Sequence, residues 1–260
     1  MNTNKDFYES SAAVDHFIDS RKLQPPEATI IDLLKHELNN FRMLDIGVGT
    51  GRTTIHFSPL VKEYVGIDYS SSMIEACNRQ VDQFSGNVTF QVCNANNLEC
   101  FDDSSFDFVL FSFNGIDYLS HNERIKSLKE IRRITREGGY FCFSTHNMQN
   151  ITGMPQPPRL TYRPRQLFKD SIKFFRHSLR NYKLRDITSE EYAIIDDGSY
   201  NSSLTTYYIK PLQQLKQLEA SGFSKIKVFS YSKGKALDDS EELPYSRDPW
   251  LYFLCCKATC

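Results

Sequence analysis

Residues 44–53 read LDIGVGTGRT: an aspartate, then glycines at 47, 49 and 51, where an apolar run meets a segment that can form a helix. Glycines in such a place let the backbone turn sharply and approach a ligand closely, and the first turn of the helix offers free N–H groups. Asp68 ends the next apolar run, EYVGID. A carboxylate there can accept both hydroxyls of a ribose, a charge-assisted contact of about 1.5–3 kcal/mol. Without the glycine loop upstream, Asp68 would read as an ordinary helix cap. With it, the pair points to a nucleoside-bearing ligand.

These residues need strands and helices to hold them, and the sequence supplies both in alternation. Short strand-like runs occupy 42–47 (RMLDIG), 63–68 (EYVGID), 87–93 (NVTFQVC), 106–113 (FDFVLFSF) and 140–145 (YFCFST). Helical patterns lie between them: 50–60, 70–84 with Ser70 or Ser71 as cap, and 121–136 with Ile125, Leu128, Ile131 and Ile134 on one face. The sequence Glu137-Gly138-Gly139 is expected to stop the last of these. Further on, 212–221 reads as a helix, and 223–231 and 250–257 as strands. Strands alternating with helices imply parallel βαβ units and a doubly wound sheet. Between them, 147–206 breaks the pattern with a Pro-rich stretch, a basic helix and a hairpin around 196–203. Sixty residues rarely bury an adequate core alone, so this segment reads as an insertion.

The dinucleotide fingerprint requires glycine at the first, third and sixth loop positions. Here the sixth is Arg52, which argues against NAD and for S-adenosylmethionine (SAM). The segments LDIGVGTGRTT, VGIDYSSSMIEAC, FDFVLFSFNGIDYL and EIRRITREGGYFCFSTHN resemble, in order and spacing, the successive motifs of class I SAM-dependent methyltransferases. The agreement covers about 40–146, and KPLQQLKQLEASGFSKIKVF resembles the family's last helix and sixth strand. The resemblance implies an α/β, Rossmann-like, seven-stranded doubly wound sheet with its last strand antiparallel, helices on both faces and a lid insertion. It implies one methyltransferase domain over 1–260: cap helices in 1–40, a SAM-binding core in 41–146, a lid or substrate insertion in 147–206, and the rest of the core in 207–260.

The same resemblance assigns residues. Asp45 would orient the loop, with Gly47, Gly49 and Gly51 facing the methionine part and the adenosine. Asp68 would bind the ribose, with Tyr69 or Met73 packing on the adenine. Many relatives read the adenine edge with an Asp-Ala pair. Here the pair is Asn94-Ala95, which keeps a carbonyl for the exocyclic amine but loses the charge. Phe111–Asn114, ending the fourth strand, would supply backbone groups near the sulfonium and the amino-acid moiety. Tyr8 resembles the tyrosine with which small-molecule relatives cover the pocket. The product would be S-adenosylhomocysteine (SAH).

Methyl transfer from a sulfonium needs alignment above all, and a general base only if the nucleophile carries a proton. Asn114, Asp117, Tyr118 and His146 follow the C-terminal ends of strands, where such folds bind ligands. Of these, His146, Tyr118 and Asn114 are the catalytic candidates. His146 could deprotonate an amine or hydroxyl near neutral pH, or it could simply bond its own loop. Asp117-Tyr118 could equally be a turn and a packing aromatic. No Asn/Asp-Pro-Pro-Tyr run follows the fourth strand, no Pro-Cys pair occurs, and no acidic cluster marks a Mg²⁺ site. The expectation is therefore N- or O-methylation of a small molecule, with no metal.

Composition narrows the partners. The net charge is −1, so no global field favours nucleic acid or membrane. No run approaches the length of a membrane span, and the polar start of the chain lacks a signal-peptide core, so a cytoplasmic location is expected. Seven cysteines without a C-x-x-C pair suit reduced thiols. Nine lysines and arginines against Asp170 fill 159–185. On a helix they would flank an apolar stripe of Phe168, Ile172, Phe175 and Leu179. That suits a lid with a solvated basic side, and an anionic acceptor is a further option. The rival readings are an RNA or protein methyltransferase using this segment, and a catalytically silent SAM-binding module.

Overall fold

The computed structural model describes residues 8–10, 13–14, 21–153, 167–168, 171–172, 189–197, 204–238 and 241–258. The first helix described, α1 (Pro25–Leu34), starts at a proline, where the missing N–H costs nothing, and is closed by a capping box between Gln24 and Glu27. Strand β1 (Arg42–Ile46) follows, then α2 (Thr54–Phe57), β2 (Glu63–Asp68), α3 (Ser71–Arg79), β3 (Val88–Val92) and β4 (Phe106–Phe111). Helix α4 (His121–Ile134), capped by Ser120 with Glu123, leads into β5 (Thr135–Asn147). The remaining elements are β6 (Tyr192–Ile195), β7 (Thr206–Ile209), α5 (Pro211–Ala220), β8 (Phe223–Ser230), β9 (Ala236–Leu237) and β10 (Trp250–Lys257).

The main path of the sheet runs β3-β2-β1-β4-β5-β10-β8-β9. Strands β1 to β5 pair in parallel, while β10 is antiparallel to both β5 and β8. The seven expected strands are all present, with the last one antiparallel. Among the described residues three short strands add to them: β9 extends one edge, and the antiparallel hairpin β6–β7 joins the end of β5 through His146↔Tyr208 and Asn147↔Ile209.

Period-2 alternation decides which side each strand residue faces. Val109, Phe111, Leu251 and Phe253 pack on one face beneath Leu128, Ile131 and Ile134 of α4 and Leu218 of α5. Phe108, Leu110, Tyr252 and Leu254 pack on the other, against Ile30 and Leu34 of α1 and Phe57 of α2. Each fully buried aliphatic of α4 contributes about 1.5–3 kcal/mol against leaving it exposed.

Several boundaries differ from expectation. The helix expected over 50–60 shrinks to α2 and a 3-10 turn, because the glycine loop extends to residue 53. The helix expected over 70–84 ends at Arg79, with a separate 3-10 turn at Val81–Gln83. Helix α4 stops at Ile134, before the glycines. Gly138, at φ +73°, and Gly139 fall inside β5, where the register with β4 shifts. A bulge there explains why glycine is needed in a strand.

The expected Pro-rich stretch 154–164 lies outside the described residues, as does most of the basic segment, including Phe175 and Leu179. Phe168 and Ile172 are described and exposed. The turn of the expected hairpin, 198–203, lies outside too, although both of its strands are present. Among the described residues, no helix is long and apolar enough to cross a membrane.

Candidate active site

The C-terminal ends of β1, β2 and β4 frame a pocket whose floor is the glycine loop. Asp45 is fully buried there. It accepts hydroxyl bonds from Thr53 and from Tyr64, the latter at 2.5 Å, and so clamps the loop to β2 and α2. Burial pushes its carboxyl up to about 6 against those bonds. Gly47, Gly49 and Gly51 all have positive φ. A Cβ on Gly49 would meet nothing within 4 Å, so this glycine faces open pocket, whereas one on Gly51 would strike the Phe84 ring at 2.7 Å. Gly51 is not part of the pocket wall; it serves the packing of the loop.

Asp68 stands across from the loop. Its Oδ2 accepts the Gly49 N–H at 3.0 Å and its Oδ1 the Ser70 N–H at 2.9 Å. Two lone pairs on each oxygen leave the carboxylate capacity for a ligand hydroxyl beside these bonds. Burial again pushes this carboxyl up to about 6, in part offset by backbone N–H bonds from Ser70, Gly49 and Tyr69. Tyr69 and Met73 line the pocket beside it, as do Asn94, Ala95 and Phe111. Asn94 Oδ1 accepts the Asn96 N–H at 3.2 Å, which fixes the amide in a local turn. Tyr8 closes the pocket from the N-terminal segment, its ring 6.1 Å from Tyr69 and 5.5 Å from Tyr118.

The chain leaving β4 is bent. Phe113 and Asn114 sit consecutively at φ +54° and +59°, before the 3-10 turn Gly115–Tyr118. Asparagine tolerates this region, but for a bulky residue it costs of order 1–3 kcal/mol and persists only where neighbours enforce it. Phe113 is held by the Trp250 ring, 6.2 Å away, and by the Arg52 guanidinium, 5.2 Å from its centroid.

His146 and Asn114 are not part of the pocket wall. They meet just behind it: Asn114 Nδ2 lies 3.4 Å from His146 Nε2, and Asn114 is flanked in sequence by two wall residues, Phe113 and Gly115. The carbonyl of the Asn114 amide is buried without a hydrogen-bond partner. His146 Nδ1 lies 2.7 Å from Asp117 Oδ2. Asp117 in turn meets Arg124 at 2.6 Å, both side chains wholly buried. Arg124 also reaches Thr145, Gln214 and Gln217, so one guanidinium ties α4 to β5 and α5.

The profile for the family described as a methyltransferase domain matches residues 43–139. The chain is 30% identical over 203 residues to the demethylmenaquinone methyltransferase of Staphylococcus haemolyticus, covering 75% of this chain and 73% of that one. The chain belongs to the class I SAM-dependent methyltransferases. An uncharacterized methyltransferase of Bacillus subtilis, YcgJ, is 33% identical over 108 residues, which span 40% of its length. The methyltransferase also shares its fold with a solved enzyme of Burkholderia thailandensis, 1,6-didemethyltoxoflavin-N1-methyltransferase with bound SAH, at TM-score 0.62 and 14% identity over 99% of this chain and 87% of that one. A SAM-dependent methyltransferase of Thermotoga maritima matches at TM-score 0.55 and 20% identity over 96% and 98% of the two chains.

Sequence reasoning missed a second polar centre of this methyltransferase. Glu27 of α1, wholly buried, grips Arg52 through both oxygens at 2.7 and 2.6 Å, and it also accepts the Ser112 hydroxyl. Burial alone would push the Glu27 carboxyl up, but the Arg52 bonds and charge overcome it and hold it below its ordinary range. Arg52 drew notice only for not being glycine, and nothing local in PPEATI reveals its partner. Cys93, another wall residue, was read merely as one of several reduced thiols.

Proposed function

We propose that the methyltransferase moves the methyl group of SAM to a nitrogen or oxygen of a small organic acceptor bound beside Phe113, Gly115 and Tyr118 of the pocket wall, with Asn114 and His146 directly behind them. The observation that carries this reading is the direct Asp68–Gly49 hydrogen bond at the wall of a pocket that a Cβ on Gly49 would enter. A buried carboxylate with spare lone pairs facing a glycine floor suits an adenosine-bearing ligand. Asp68 would hold the ribose, Gly47 and Gly49 the methionine part, and Met73, Tyr69, Asn94 and Ala95 the adenine. When bound, SAM supplies a methyl group already activated on a cationic sulfonium and leaves SAH.

What the protein adds is alignment, about 7–11 kcal/mol for well-oriented groups. Tyr8, Tyr69 and Tyr118 surround the site with aromatic rings, and a cation near such rings gains about 0.5–2 kcal/mol. Asp117, charge-balanced by Arg124, accepts hydrogen bonds only, so Nδ1 of His146 keeps its proton and Nε2 carries the lone pair. Nε2, which the Asn114 amide meets at 3.4 Å behind the wall, takes a proton from an acceptor hydroxyl or amine once that group displaces the amide. Acceptor choice falls to 1–40 and to the 147–206 insertion, which ends at β7 just before that strand pairs with β5 through His146↔Tyr208. Relatives named for demethylmenaquinone and for N1 of 1,6-didemethyltoxoflavin fit a small-molecule acceptor.

The test is calorimetric titration of the purified chain with SAH, and with NAD⁺ as control, followed by SAH release from SAM in the presence of a panel of amines and phenols. SAH binding without NAD⁺ binding is expected. Folded protein that binds no SAH overturns the proposal.

A further inference from the structure

The loop after β3 carries two thiols that the methyl-transfer reading does not use. Cys93 Sγ and Cys100 Sγ lie 3.2 Å apart. Cys93 is half-buried in the wall of the cofactor pocket, and Cys100 is exposed. A disulfide needs its sulfurs at about 2.05 Å, so closure requires an approach of only about 1 Å.

The two ends of this loop are held by different parts of the fold. Cys100 is bracketed by Leu98 and Phe101, both buried in the core. Arg133 of α4 holds the carbonyls of both flanking residues at 2.9 Å, and Glu130 accepts the Leu98 N–H at 3.0 Å. Cys93 sits on the pocket side. Its N–H donates to the Asp68 carbonyl at 3.0 Å, and the next two residues are Asn94 and Ala95 of the pocket wall. With the Cys100 flank anchored to α4, any backbone shift that brings the sulfurs together at Cys93 would reach Asn94, Ala95 and the Asp68 carbonyl.

We propose that Cys93 and Cys100 form a redox-active dithiol, converted by hydroperoxides to an intrachain disulfide that weakens the pocket for SAM and SAH. Cys100, exposed, meets the oxidant first. Its thiolate attacks one peroxide oxygen; an S–O bond forms, the O–O bond breaks, and the departing hydroxide takes a proton to leave as water. Cys93 then loses its proton and its sulfur attacks the Cys100 sulfenic acid; the S–S bond forms, the S–O bond breaks, and a second water leaves. Two thiols give up two electrons and two protons, and one hydrogen peroxide becomes two waters. Burial and the neighbouring Cys100 push the Cys93 thiol up to about 12, which keeps it protonated until the second step. The proposal rests on the SAM reading of the pocket.

The experiment compares the full chain after reduction with dithiothreitol and after treatment with hydrogen peroxide. Peptide mapping locates any disulfide, and calorimetry measures SAH affinity. The expected result is a Cys93–Cys100 link, SAH binding weakened about ten-fold or more, recovery on reduction, and no change on peroxide treatment of Cys100→Ser, which binds SAH normally. Absence of that link, a link with unchanged affinity, or a loss that persists in Cys100→Ser overturns the proposal. Reduced protein that binds no SAH is a different failure: it removes the SAM reading itself, and this proposal falls with it.

Discussion

Asp117 holds His146 twice through one oxygen: Oδ2 accepts both the backbone N–H and the ring Nδ1–H, each at 2.7 Å. Its other oxygen takes Arg124 and the Thr145 hydroxyl, each at 2.6 Å. The carboxylate therefore fixes the position of the histidine, its ring orientation and its tautomer at once.

Removing that charge should cost more than removing the histidine. Asp117→Asn leaves the Arg124 guanidinium buried without its counter-charge, at a cost of about 3–5 kcal/mol. His146→Gln leaves the Asp117–Arg124 pair intact and should cost only about 0.5–1.5 kcal/mol. Urea denaturation of both variants measures the difference; equal losses would mean that the ion pair does not organise this corner. With an acceptor in hand, His146→Gln should slow turnover by about 10²–10⁴-fold and leave SAH affinity unchanged.

Asp68→Ala should weaken SAH binding by about 1.5–3 kcal/mol, the worth of hydrogen bonds to a charged group. It also strips the Gly49 and Ser70 N–H groups of their acceptor. Circular dichroism confirms folding, and calorimetry then reads the loss. Affinity within two-fold of wild type would exclude the ribose role.

The pH dependence follows from two buried carboxyls. Asp45 and Asp68 move from an ordinary 3.8 to about 6 on folding. Between those values the folded chain holds more protons than the unfolded one, so these two groups make it less stable as pH rises, with the full cost reached above 6. Ribose binding runs the other way, because it uses the ionised Asp68. SAH affinity should fall by about ten-fold per pH unit below 6, while the ligand-free protein gains stability from these groups. Titrations on either side of pH 6 check this, with Asp68→Asn expected to flatten the Asp68 part.

Two glycines near the pocket should respond differently to alanine. Gly49→Ala meets no neighbour but must hold φ +55°, a strain of about 1–2 kcal/mol, and its methyl enters the ligand space. Gly115→Ala places a Cβ 2.4 Å from the Phe111 ring, an overpacking cost of about 1–3 kcal/mol. Thermal melts with and without SAH should show Gly49→Ala folded but poorly stabilised by ligand. Both variants should melt lower without ligand, Gly115→Ala by at least as much as Gly49→Ala.

Features set by local physics could be read along the chain. The alternation of strands and helices, the positive-φ glycines of the loop and Asp68 at the end of β2 all depend on neighbours within a few residues. Helix ends were less legible. The glycines at 138 and 139 look like a helix stop, yet they form a bulge in β5, because pairing with β4 offers the backbone a ladder that no local signal announces. Arg52 was visible as a residue type, but its role was not.

The sequence by itself determined the order of the elements, the glycine floor and the carboxylate opposite it, because steric freedom and hydrophobic period act at short range. Only the tertiary structure decided that Glu27 meets Arg52, that Arg124 meets Asp117, and that Cys93 meets Cys100. The two ion pairs form because a buried charge must find a partner within the packed interior. That requirement is satisfied in three dimensions, where 25 residues of separation count for no more than seven.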